Sequence, residues 1–450
     1  MPALQFGTSS YERAEGDLPA LPVINMYAEE APTEGGGIML QSRPGLVERS
    51  VTMGLYGVDA LFQRDLVLSS ALFGIADKAL YRRDQRLGAI DGNGPYSMAG
   101  YENFLFAAGG AGLWGYDGAS VSKIEFPDNA AVVKVLVGGG RAIAIRKDTG
   151  KFYWTPVLNR TIDALAFATA ESQPDRIRDA LFLDDILILF GAETVEFWPN
   201  TGDPDLPFQP LEGRVIEKGV KATGCAAAIG STFAWVTNLN EVCLQDENTI
   251  ISNPGLQARI KASNAVRLFP FVLDGMEFLA LRLDNETQVW NRRTGTWSEF
   301  ASYGKPNWIA QCHAGGVFGA SEGGKTLEWG SAYSDLGNEL ERRFRGGVPI
   351  DGGGITVSNV QLRTNVGQTP RLTGEFADPK VEMRISRDAG QTWNDWRAVE
   401  LGAQGEYRKK VQWRACGMAS YPGFVAEWRC TAPVPFRVSG VGINEPWGGR

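Results

Sequence analysis

The sequence predicts an all-β protein, a propeller followed by a C-terminal β-sandwich or β-sheet domain. Three observations carry this. With 55 Gly, 23 Pro and 10% aromatic residues, the chain has the composition of many short strands broken by turns, and long helical patterns are hard to find. Strand-turn-strand units recur at blade spacing up to residue 330. Beyond Trp329 the texture changes to closely spaced strands of period two.

At 450 residues the chain exceeds one ordinary core, so it must divide or extend by repetition. The N-terminal segment, residues 1–50, contributes to the propeller or to its docking. Residues 51–330 hold seven units, beginning at Leu72, Asn103, Arg141, Asp185, Ser231, Glu277 and Gly315. In each, an apolar run passes through a polar or glycine turn into a second apolar or aromatic segment. Successive starts are 31, 38, 44, 46, 46 and 38 residues apart, and a four-stranded blade needs about 40–50. One such hairpin cannot bury both its faces, whereas radial stacking buries them between neighbours. Tyr81, Trp114, Trp154, Trp198, Trp290 and Trp329, at the hairpin ends, suit that packing. The expectation is therefore seven blades, with two unrelated β-sandwiches as the alternative.

Residues 331–450 form the C-terminal β-rich domain. The segment SAYSDLGNELERRFRGGVPIDGGG looks like a connection, and six alternating strands follow it. Among them stands SRDAGQTW (386–393), the Asp-box pattern of sialidases and other propeller glycosidases. Its local reading is a structural turn in which Asp388 accepts N–H bonds, Gly390 supplies positive φ and Trp393 covers the hairpin base, with Ser386 opening the pattern. A sialidase site would need several arginines and a Tyr/Glu pair on a propeller carrying several boxes. This chain has one box, outside the repeats.

Other catalytic readings fare similarly. GASEGGKT (319–326) fits the phosphate-loop pattern, but a phosphate loop must open a helix. LEWGSAYSDLG follows instead, so Lys325 belongs to a hairpin turn. The chain has one histidine, His313, and five dispersed cysteines (Cys225, Cys243, Cys312, Cys416, Cys430) without a CxxC pair. These patterns indicate neither a metal centre nor a disulfide framework. Asp184 with Asp185, and Asp388 with Asp395, read as solvated turn residues. The expectation is no enzyme, no cofactor and no metal. No Sec signal or membrane span is visible, so the N-x-T triplets at Asn159 and Asn285 carry no weight.

The net charge of -8 is uneven. Lys and Arg stand against Asp and Glu as 28 to 39 up to residue 330, and as 16 to 13 beyond it. An acidic body opposes tight binding of nucleic acid yet lets DNA pass without sticking.

VINMYAEE (from Val23), SRPGLVE (from Ser42), VEFWPNTGDPDLPFQPLEGRVIEKGV (from Val195), QVWNRRTGTWSEF (from Gln288), VQWRACGMAS (from Val411) and TAPVPFRVSGVGI (from Thr431) follow one another in order. From about Leu21 to Gly442 the chain resembles the phage packaged-DNA stabilisation family, the tail accessory or tail-hub (nozzle) proteins of P22-like short-tailed phages. The resemblance implies a structural virion protein made in the host bacterial cytoplasm. It implies a hexameric ring below the portal and adaptor that retains packaged DNA, lets it through at genome ejection and carries tailspikes or tail fibres and the plug or needle. It supplies no catalytic residues. The other reading is a carbohydrate-binding or sialidase-like propeller acting in receptor recognition.

Overall fold

The structure is a computed structural model that describes residues 5–11, 20–30, 37–170, 175–350, 352–368 and 376–444. Short antiparallel sheets succeed one another along the first three quarters of the chain, and two larger sheets enclose a core at its end. It is a β-propeller followed by a β-sandwich.

Seven sheets are formed among the described residues between Leu46 and Trp329. Each hairpin expected from the sequence is present: Phe73–Ala76 pairs Ala79–Arg82, and Val317–Ala320 pairs Lys325–Trp329, with the other five between them. Several turns demand left-handed backbone, which Asp and Gly adopt most readily. Asp184 and Asp185 (φ 50 and 62) and Asp274 and Gly275 (φ 51 and 75) form two such turns. The first strands of successive sheets pack side by side, and Ala310–Ala314 of the last lies against Val58–Phe62 of the first, closing the circle.

The aromatic residues at the hairpin ends lie between sheets. Trp114 shares a core with Phe73 and Ile75 of the preceding sheet. Trp154 and Trp198 share another with Phe152 and Leu189. Tyr81 packs with Val317 and Met53, where the last sheet meets the first. One helix, Pro254–Ala262, interrupts the series; Asn253 caps it by accepting from Leu256 N–H, and Leu256 and Ile260 are buried.

The circle is closed by a strand from the other end of the chain: Leu46–Thr52 pairs Lys325–Trp329 as the outer strand of the last sheet. The residues before it belong to the sandwich. Met26–Glu30 and Ile38–Ser42 lie in one sandwich sheet with Arg437–Ile443, Ile355–Thr364 and Val411–Ala419. Val23–Ile24 pairs in parallel with Thr296–Glu299 of the sixth propeller sheet and antiparallel with Arg342–Pro349. That sheet therefore runs from propeller into sandwich without a break.

This corrects the reading of residues 331–354 as a connection. Arg342–Pro349 is an interior strand, paired along its length with Gly423–Cys430. Its basic, glycine-bearing sequence hid a strict alternation in which Arg342, Phe344 and Gly346 face inward. Phe344 stacks on Trp428 at 4.9 Å, within a core that includes Trp413, Leu362 and Met383.

Arg43 pins these parts together. It is fully buried and spends all five of its N–H donors. Nε donates to Asn25 Oδ1 (2.8 Å), Nη1 to Asp335 Oδ1 (2.9 Å) and Pro44 O (3.0 Å), and Nη2 to Asp335 Oδ2 (2.6 Å) and Ala301 O (3.1 Å). Asp335 also accepts from Leu46 N–H, and the guanidinium lies over the rings of Phe300 and Trp308. Beside it Gly45 is mandatory, because a Cβ there would sit 1.9 Å from Ser334 O.

Removing one partner of such a pair strands a buried charge, at a cost of about 3–5 kcal/mol. Arg43→Ala and Asp335→Ala are each expected to lose about that much in urea denaturation. The double variant is expected to lose less than the sum, since the second change removes the stranded charge.

Candidate functional site

The structure brings Ser386, Asp388, Gly390 and Trp393 together in one turn. Ser386 Oγ donates to Asp388 Oδ1 (2.6 Å) and accepts from Gly390 N–H (2.8 Å). Thr392 donates to Asp388 from its N–H (2.8 Å) and from its hydroxyl (2.6 Å). The hydroxyls of Ser386 and Thr392, with Thr392 N–H, hold the Asp388 carboxyl down to about 2. Gly390 has φ +97, and Trp393 Nε1 donates back to Gly390 O. Every oxygen of the Asp388 carboxylate is thus engaged within the turn. Asp395 makes no part of this network.

Trp393 has non-local partners. Its ring faces the guanidinium groups of Arg384 (4.7 Å) and Arg345 (5.0 Å), and Trp396 faces Arg384 (4.7 Å) and Arg429 (4.3 Å). Between them Glu427, wholly buried, accepts from Arg345 (2.7 Å) and from Arg384. Register explains this ladder, for Arg345, Glu427 and Arg384 stand opposite one another on three adjacent strands. The arrangement neutralises and fixes charge on the sheet. Each indole has a cation on its face, where a sugar ring would have to stack.

The phosphate-loop pattern lies on a hairpin. Gly323 and Gly324 (φ +64 and +60) make the turn, and Lys325–Trp329 continues as a strand. Lys325 pairs with Glu48 across to the closing strand (2.7 Å). Without a helix no row of amides converges on an anion. His313 lies in the strand Ala310–Ala314 with its ring 4.7 Å from that of Phe318, and burial pushes its pKa down to about 4. Burial also raises the thiols of Cys225 and Cys312 to about 12, far from a reactive thiolate. Among the described residues no group of three or more His, Cys, Asp or Glu could hold a metal.

A cleft of about 530 Å³ opens where propeller and sandwich meet, lined by Asn25, Glu299, Ser302, Lys305, Glu341 and Arg343 among others. Its lining carries the carboxylates Glu299, Glu339 and Glu341 and the cations Lys305 and Arg343. Sequence reasoning missed the buried ionic centres at Arg43 and Glu427. It also missed Arg342, whose guanidinium, fully buried, donates to the carbonyls of Cys430, Ala432 and Val434. The one available signal was an arginine beside proline in SRPG.

Family models described as the bacteriophage P22 Gp10 β-propeller and β-sandwich match residues 3–302 and 346–444. The tail hub protein gp10 of Salmonella phage P22 is 24% identical over 230 residues, 48% of either chain. The chain spans about half the length of that curated relative. Solved structures similar to it include BBS1N in complex with ARL6DN, at TM-score 0.43 and 11% identity over 65% of this chain and 99% of that one. The β-propeller domain of Myceliophteria thermophila Cps50 (Swd1) gives 0.40 and 11% over 63% and 98%. BamB from Moraxella catarrhalis gives 0.32 and 13% over 72% and 94%. At these scores they carry no argument about function.

Lys325→Ala is expected to change stability by less than about 0.5 kcal/mol, whereas Gly390→Val should destabilise the sandwich by about 1–3 kcal/mol through its left-handed backbone; urea denaturation measures both. The depressed His313 pKa means that the unfolded chain takes up a proton below 6.5 while the folded chain resists until about 4. Stability should therefore fall as pH drops from 6.5 toward 4. His313→Phe should flatten that slope in melting curves between pH 6.5 and 5.

Proposed function

The chain belongs to the bacteriophage P22 Gp10 family, and from that membership we propose that it is a structural protein of a phage tail. Six copies close into a ring below the portal and its adaptor. The ring retains packaged DNA until ejection and carries tailspikes or fibres and the plug or needle. The observation that carries this reading is the paired match: both parts of the family, propeller and sandwich, align with both parts of this fold in order.

The physical properties suit such a part. The propeller has seven blades closed by Leu46–Thr52, a turn-rich body that resists deformation because every blade is packed on two others. An excess of carboxylates over the first 330 residues repels phosphate and keeps the genome mobile in the channel. The Asp-box turn is structural and Asp388 holds its own loop. The protein is made in the host cytoplasm, and no described helix is long and apolar enough to cross a membrane. Its net charge of -8 keeps isolated copies monomeric or weakly associated until the adaptor gathers them.

Particles assembled without the protein should package DNA and then lose it, measured as nuclease-accessible genome. Imaging of complete particles should find the protein as a ring on the tail axis. Particles lacking it that keep their DNA and infect normally would remove the stabilising role.

A further inference from the structure

Two exposed surfaces, one on the propeller and one on the sandwich, carry side chains of opposite charge. The first is built from the loops after the third strands of the third and fourth propeller sheets, residues 155–166 and 200–214. They are exposed along most of their length and carry Val157, Leu158, Leu165, Leu206 and Leu211 at 40–85% exposure. Four carboxylates stand among these side chains: Asp163, Asp203, Asp205 and Glu212. The two cations of the same loops, Arg160 and Arg214, lie over the rings of Phe104 and Phe197.

The loops are held rather than loose. Arg141, buried, donates to Thr155 O in one loop and to Pro204 O in the other (both 3.1 Å). Leu158 N–H is anchored on Gly140 O, and Asn159 O on Tyr101. A buried guanidinium that serves only to join two exposed loops fixes the shape of an outward surface.

The second surface is the outer face of the sandwich sheet formed by Ile355–Thr364, Val411–Ala419 and Arg437–Ile443. Alternation turns Val357, Val360, Leu362, Trp413 and Val438 into the core and Arg363, Arg414, Arg437 and Met418 outward. These three strands contain no Asp or Glu; of their arginines, Arg437 pairs with Glu29 (3.8 Å) on Met26–Glu30 of the same sheet, so Arg363 and Arg414 carry the positive charge of the face.

We propose that the acidic, leucine-bearing loops 155–166 and 200–214 of one copy dock on this arginine-bearing sheet face of the next copy. This rests on the ring reading above and names the surfaces that make it. Because the two patches differ, the contact is head-to-tail, the kind that propagates from copy to copy and closes into a ring when the rotation permits. Leucines supply the apolar centre and opposite charges set register and partner choice. A second copy is favoured over nucleic acid because the sheet face has arginines without a lysine track, on a chain whose net charge is -8.

Charge exchange tests this. Variant one carries Asp205→Lys and Glu212→Lys; variant two carries Arg363→Glu and Arg414→Glu. Circular dichroism and melting establish that each folds as the parent does. In chemical cross-linking of copies gathered on the adaptor, and in sedimentation velocity at rising concentration, each variant alone should form neighbour contacts at least tenfold more weakly than the parent. In that variant like charges face each other at every contact. An equal mixture of the two should recover association, because alternating copies restore opposite charge at every contact, and higher salt should weaken the parent and the mixture alike. Variants that assemble as the parent does would overturn these surfaces while leaving the ring reading standing. A parent chain that forms no ring alone or on the adaptor would overturn the ring reading itself. Duplex DNA bound through Arg363 and Arg414, with self-association unaffected by either variant, would assign the face to nucleic acid instead.

Discussion

The pairing of Arg43 with Asp335, 2.6 Å apart with both side chains essentially out of water, is the constraint on which the architecture depends. Arg43 falls between Ile38–Ser42, which belongs to the sandwich, and Leu46–Thr52, which closes the propeller. The chain must turn there from one body into the other. Asp335 sits where the chain leaves the propeller, so a single ion pair joins the way in to the way out. In so dry a site the pair would be unfavourable if incompletely bonded. It is tolerated because every guanidinium N–H has an acceptor and because Leu46 N–H and Ser302 Oγ complete the carboxylate.

A mechanical property follows from this junction. Propeller and sandwich share the sheet that passes through Val23–Ile24, and the hydrogen bonds of that sheet lie across the boundary where a linker would otherwise be. Asn25 adds a second tie: its side chain accepts from Arg43 and Ala301 N–H and donates to Glu341 O. Independent domains joined by a linker move relative to one another by default. Here relative motion would have to break ladder bonds and expose the ionic centre at once. Force applied to the sandwich therefore passes into the sixth propeller sheet and around the circle.

What the sequence made legible was local. The seven hairpins were readable because each holds its two apolar segments and its turn within about 20 residues, and the six later strands because they alternate. Asp388, Gly390 and the Ser386 hydroxyl could be placed for the same reason, since the Asp-box turn bonds within itself. What escaped was non-local or charged. Arg342–Pro349 reads as a polar connection because ERRFRGG scores as polar, though Phe344 and Arg342 are buried completely. Val23–Ile24 is two residues long, and its partners lie about 275 and 320 residues away in sequence. Of the cations over Trp393 and Trp396, Arg345 and Arg429 come from strands brought alongside only by the fold, while Arg384 lies on the strand that leads into the turn. No periodicity in one segment reports a ladder assembled from three.

Four of the six segments that carry the family resemblance have physical duties at the junction of propeller and sandwich. VINMYAEE supplies Asn25 and also Tyr27, whose hydroxyl donates to Asp274 (2.9 Å). SRPGLVE supplies Ser42, Arg43 and Gly45; Ser42 N–H donates to Phe436 O of TAPVPFRVSGVGI, and Ser42 Oγ accepts from Phe436 N–H. That last segment also borders the loop whose carbonyls Arg342 satisfies. QVWNRRTGTWSEF contributes Asn291, which donates to Ala28 O, and Glu299, the partner of Ile24. Each of these duties lies at the weld between propeller and sandwich or next to it. In these four segments the recognisable residues fix how the two bodies sit against each other. Catalysis would instead leave its recognisable residues converging on one cleft. In this fold four of the six segments meet along the seam of two bodies, whereas 195–220 runs through the fourth propeller sheet and 411–420 lies in the sandwich.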